Sequence, residues 1–172
     1  ALEANTTAGN NTAVGVIAMG VNTTGEFNVA VGGNALDANT TGDNNVAIGR
    51  LSLSANTTGE RNVAVGTSAG LNVTTGVRNV LIGDIAGDAL TDADYNIAIG
   101  MNALGADTLG SRSVAIGYDA LQGQNFTSAT ATQNVAIGYQ TLVASTTGTN
   151  NTAVGATALY TSTTGEFNTA LG

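Results

Sequence analysis

The sequence predicts an all-β chain, a parallel β-solenoid wound as a two-sided β-roll of about ten 17-residue coils. Three observations predict it. A pentad of the form Asn-Val-Ala-Val/Ile-Gly begins at Asn11, Asn28, Asn45, Asn62, Asn79, Asn96, Ser113, Asn134, Asn151 and Asn168, with a spacing of 17 residues except for 21 between Ser113 and Asn134. Within each pentad the side chains alternate with period 2, the signature of a short strand. Gly and Thr-Thr-Gly punctuate most coils at fixed places, as turn residues do.

Each coil is numbered 1 to 17 from its Asn. Positions 2 and 4 carry apolar residues or Thr, as at Val29 and Val31 or Val46 and Ile48. Position 3 is Ala everywhere except Leu81, and position 5 is always Gly. A strand over positions 1 to 5 is expected to turn Val and Ile toward a dry interior. Its Ala residues would then form a flat outer surface suited to another chain. A second short strand is expected around positions 7 to 11, carrying Met19, Leu36, Leu53, Leu104, Leu121, Leu142 and Leu159 inward from position 9. Thr-Thr-Gly at positions 13 to 15, as in Thr23-Thr24-Gly25, closes the coil. A triangular hexapeptide helix would need an apolar residue again at position 10, and none recurs there. The four extra residues fall within 122–133, which is expected to be an enlarged loop. The repeat fills 1–172 as a single β-roll domain. The partial first coil and the lack of a signal peptide or initiator Met read as a window of a longer, processed array. Such a roll is expected to form homo-oligomers and would also continue head to tail as a filament.

Composition narrows the function classes. Charged residues are 9% of the chain, against about 25% in ordinary domains. The formal net charge of −8 argues against nucleic acid and anionic membranes, where basic patches supply the affinity. The sequence has no apolar run long enough to cross a bilayer, so no membrane insertion is expected. His and Lys are absent, which leaves no common general base near neutral pH and points away from an enzyme. Cys is absent too, so disulfides and thiolate metal sites are excluded.

Several residue columns invite a functional reading beside a plainer one. The Asn column (Asn11, Asn28, Asn45, Asn62, Asn79, Asn96, Asn134, Asn151, Asn168) reads as a structural amide ladder rather than a recognition surface. The Thr residues at positions 13 and 14 suit turns, with an ice-binding face as the alternative. Asp84, Asp88, Asp92 and Asp94 lie in one coil, where a Ca²⁺ site competes with a solvated acidic turn; no other cofactor is expected. Position 16 stacks Glu26, Asp43 and Glu60, and position 17 carries Arg61, Arg78 and Arg112 beside the aromatics Phe27, Tyr95 and Phe167. A charged, solubilising rim is the expected role. Asn-x-Thr sequons recur, among them Asn22, Asn39, Asn56, Asn72 and Asn125, as a by-product of the turn chemistry. Tyr118, Phe126 and Tyr139 are candidates for partner contact in a shallow aromatic groove, which would suit a glycan.

The pentads resemble the Asn-Ser-Val-Ala-Ile-Gly motif of trimeric autotransporter adhesin heads, the YadA-like head. The full unit, Asn-Thr-Ala-Val-Gly-x-x-Ala-Leu-x-x-x-Thr-Thr-Gly-x-x, is similar to repeats of large bacterial surface proteins and phage tail fibres. The resemblance covers the whole chain. It implies a left-handed roll, a homotrimer, and an extracellular location on a cell or virion surface. It further implies a structural or adhesive fibre segment, an adhesin head or tail-fibre shaft, that meets a host surface, matrix or glycan. A free-standing ice- or glycan-binding module is the alternative. The adhesin head repeat is shorter, so the turns here are expected to differ.

Overall fold

The computed structural model describes all 172 residues, and its regular structure is entirely β. Ten three-residue strands occupy positions 2 to 4 of successive coils: β1 (Thr12–Val14), β2 (Val29–Val31), β3 (Val46–Ile48), β4 (Val63–Val65), β5 (Val80–Ile82), β6 (Ile97–Ile99), β8 (Val114–Ile116), β10 (Val135–Ile137), β11 (Thr152–Val154) and β12 (Thr169–Leu171). They form one parallel sheet in chain order. Each residue pairs with its copy one coil away, as Val46 with Val63 and Ala47 with Ala64. The register survives the enlarged coil, where Val114 still pairs with Val135. The enlarged loop adds β9 (Thr130–Ala131), which pairs in parallel with β7 (Gly110–Ser111) of the preceding coil as a second, two-stranded sheet.

The strands face the other way from the expectation. Ala30, Ala47, Ala64, Ala98, Ala115, Ala136 and Ala153 are fully buried, while the Val and Ile at positions 2 and 4 point outward. Ile48 is 39% exposed and Val14 58%. Alternation places positions 1, 3 and 5 on one face, but it leaves open which face is inside. The Asn at position 1 decides it, because its amide groups find partners only in the coil interior. The interior is also thin. Position 9 sends a large side chain across it from the opposite wall, and Met19, Leu36, Leu53, Leu104, Leu121 and Leu142 are all fully buried. Opposite Leu, only Ala fits. The result is one continuous core of 24 buried residues along the axis.

Positions 7 to 11 carry Leu inward as expected, but they form no strand. Residues 7 and 9 of each coil are left-handed, as at Leu51 (φ 62) and Leu53 (φ 48). Their amides still bridge coils. The Leu51 N–H donates back to the Gly33 carbonyl and the Leu53 N–H forward to that of Ala69, each at 3.0 Å. The opposite wall is therefore a hydrogen-bonded stack of turns. Alternating handedness lets a tight bend keep its ladder and bury one side chain per coil.

Two coils depart from the pattern together. Gly70 and Gly87 stand at position 9, Val73 and Leu90 replace the usual polar residue at position 12, and Leu81 replaces Ala at position 3. A Cβ on Gly70 would lie 2.7 Å from a Leu81 methyl, and one on Gly87 at the same distance from the other. The bulk that leaves one wall reappears on the other, so volume is kept while its source changes.

Candidate functional site

The Asn column is structural, but its chemistry differs from an amide stack. Asn45 shows the rule. Its N–H donates to the Oδ1 of Asn28 (2.8 Å), its Nδ2 to the Gly59 carbonyl (2.8 Å), and its own Oδ1 accepts the Asn62 N–H (3.0 Å). Each side chain thus ties its coil shut and holds the next one. Asn28, Asn62, Asn79, Asn96 and Asn151 repeat most of this scheme. Asn11 and Asn168 supply its end contacts, and Asn134 keeps the bond to Gly148. Direct amide-to-amide bonds occur at Asn79–Asn62 and Asn168–Asn151.

A purer amide ladder lies at position 12, in a column the sequence reading passed over. Asn39 donates to Asn22 (2.7 Å) and Asn56 to Asn39 (2.9 Å), all fully buried. The Asn-x-Thr pattern was the available signal, since these same residues head the sequons. Their burial removes them as glycan acceptors. Val73 ends this ladder and leaves the Asn56 Oδ1 without a partner.

The enlarged coil and the one before it share a second unforeseen feature. Asp107, fully buried, accepts from the amides of Gly110 and Phe126 and from the Gln124 Nε2 (2.6 Å). Gln124 continues to Ser113 and Asn134, and Ser113 touches the Thr132 hydroxyl. Ser113, the one departure from Asn at position 1, marks the place in the sequence. The shorter side chain leaves room for Gln124, which takes over the coupling between coils.

The Thr columns divide. Position-13 hydroxyls donate to the next coil's carbonyl, as Thr40 to Thr57 (3.1 Å) and Thr57 to Thr74 (3.2 Å). Position 14 faces solvent at Thr24, Thr41, Thr58 and Thr75. Half of the proposed ice-facing hydroxyls are therefore committed to the backbone.

The four acidic residues do not converge on a cation. No group of three carboxylates in the chain could hold a metal ion. Asp84, Asp88, Asp92 and Asp94 occupy positions 6, 10, 14 and 16, four different columns of the coil perimeter. Asp92 accepts from the Thr75 hydroxyl and Asp94 from the Val77 amide (2.8 Å). Burial pushes the Asp88 carboxyl above the ordinary carboxylate range, against the pull of the Asp88 and Ala89 backbone amides; the nearby Asp84 charge adds to the rise.

The aromatic trio also separates. Tyr118 and Tyr139 stack with centroids 5.5 Å apart and remain about half exposed. Phe126 is buried, and its carbonyl accepts from Leu109 and the Thr108 hydroxyl in another column. The three do not share a groove.

What the fold does gather is the outward face of the sheet. The outward side chains of ten strands stand in register on one side, Val or Ile in nine of them and Thr or Leu at Thr12, Thr152, Thr169 and Leu171, with Ile48, Ile82 and Ile137 each more than one-third open to solvent. At a strand spacing of about 4.8 Å the stripe runs for roughly 43 Å. The stripe is mostly aliphatic and carries no charged side chain. No protein-family model, curated protein or solved structure matches the chain.

Proposed function

We propose that this chain is a structural and adhesive segment of an extracellular fibre, and that it self-associates along its Val/Ile face. The observation that carries the reading is that uncovered stripe on a continuous ten-stranded sheet. Monomeric proteins rarely leave long contiguous apolar patches in water. A regular stripe also suits a second regular stripe, because side chains repeating once per coil interdigitate along the whole length. The rest of the chain supports a mechanical role. Backbone ladders, the Asn column and the Leu/Ala core all run parallel to the axis, so bending the rod strains every coil at once. The resemblance of the pentads to YadA-like heads and tail-fibre repeats favours a trimer on a cell or virion surface.

The test is the mass in solution. Light scattering after size-exclusion chromatography is expected to give three times the 16.9 kDa of the chain. A mass of one chain across the accessible concentration range would overturn self-association.

A further inference from the structure

The irregular coil creates an open cavity of about 220 Å³, bounded by Asp94 and Tyr95, by Ser111 and Arg112 one coil on, and by residues 129–131 of the enlarged loop. It is smaller than the ~300–1,000 Å³ of drug-sized pockets and suits a single sugar ring. Its charged groups form no ion pair. The Arg112 guanidinium forms no ion pair or hydrogen bond within the chain; the one ion pair of the molecule joins Arg61 to Glu60. Arg112 lies 6.0 Å from the centroid of the Tyr95 ring, and Arg78 lies 5.3 Å from it in the preceding coil and donates to the Tyr95 hydroxyl. Asp94 uses only Oδ1, toward the Val77 amide. The Thr130 hydroxyl donates to Ser128 and keeps its lone pairs free; the Ser111 oxygen accepts from the Asp94 amide and keeps its proton free.

We propose that this cavity binds a uronate, a sugar ring bearing a carboxylate. The carboxylate pairs with the Arg112 fork, and a ring hydroxyl donates to the free Asp94 oxygen. Ser111 and Thr130 serve further hydroxyls. Two guanidiniums beside one carboxylate make this a locally cationic spot on a chain of net charge −8, so an anionic group is drawn here in preference to the rest of the rim. The lining joins the Ser111 and Thr130 hydroxyls and the Asp94 carboxylate to the Tyr95 ring, with the small Ala129 and Ala131 as its only aliphatic side chains, which favours a sugar ring over a bulky apolar peptide side chain. Pairing of β7 with β9 holds the walls on hydrogen-bonded backbone. The inference deepens the adhesive half of the proposed function. It is independent of self-association, because binding and mass are read separately.

The experiment is a saturation-transfer NMR titration of the intact chain with methyl glucuronide and methyl glucoside. Glucuronide is expected to saturate, with glucoside at least about tenfold weaker, as loss of a charge-assisted pair implies. Arg112→Gln should weaken glucuronide by about tenfold or more, while Arg50→Gln, an exposed cation outside the cavity, leaves it unchanged. Melting and mass of each variant are followed, and Thr130→Val gives a second route if Arg112→Gln misfolds. Equal binding of the two sugars, no saturable signal, equal losses for Arg112→Gln and Arg50→Gln, or tighter binding of N-acetylglutamate than of glucuronide would each overturn the assignment.

Discussion

A Cβ added to Gly66 would lie 2.3 Å from the carbonyl oxygen of Gly83, at a φ of +139°. The same approach recurs at position 5 of nearly every coil, so this Gly is demanded twice, by its φ and by the backbone above it. Gly33 shows the contrast, since a Cβ there meets nothing within 4 Å. Gly66→Ala is therefore expected to lose at least about 3 kcal/mol and Gly33→Ala to stay within about 0.5 kcal/mol, measured by chemical denaturation. Similar losses at the two sites would show that coil spacing is not set by this contact. Asp88 provides a pH readout. Its carboxyl is raised by burial, so the folded chain favours the protonated form. That contribution is complete below the ordinary value of 3.8 and is lost as the pH rises through the raised folded value. Asp88→Asn is expected to raise the melting temperature at pH 7 and to have less effect at pH 3. An equal gain at both would remove burial of the charge as the cause.

Within an element, the coil is the unit of compensation. Leu81 fills the space left by Gly70 and Gly87, and Val73 beside it cuts the amide ladder, leaving Asn56 with an unpaired buried oxygen. The gain in packing thus carries a polar cost. Leu81→Ala is expected to lose about 3–5 kcal/mol, since neither glycine can fill the cavity. Gly70→Leu alone is also destabilising, because its first carbon meets a Leu81 methyl. The double variant should be more stable than the sum of the two losses by about 1–3 kcal/mol in a double-mutant cycle. Strict additivity would mean that the two walls do not share one volume.

For the whole molecule, the decisive feature is that its most hydrophobic strand positions lie outside. The core is built of Ala and Leu, and the Val and Ile stand on the outer face, where the proposed self-association would cover them. Val80→Asp combined with Val114→Asp places charge on that face two coils apart without touching the interior. The expected result is an unchanged far-ultraviolet circular dichroism spectrum with the mass reduced to 16.9 kDa. A retained oligomer would move the interface to another face. The acidic column of Glu26, Asp43 and Glu60 is half-buried at position 16, outside the stripe.

The coil length, the strand positions, the parallel register and the site of the enlarged loop were legible in the residues alone, because a 17-residue repeat with Gly at one place admits only coil-on-coil stacking. The inward path of Leu at position 9 was legible for the same reason. Alternation by itself has no sign, however, and hydrophobicity assigned the wrong one to Val and Ile. Only the tertiary structure could decide it, since the choice rests on where the Asn amide finds carbonyls and how much bulk fits between two walls. Asp107 and Gln124 both stand at position 12, so the repeat alone puts them in adjacent coils; only the tertiary structure shows that this column is buried and that the short side chain of Ser113 leaves Gln124 within reach of Asn134.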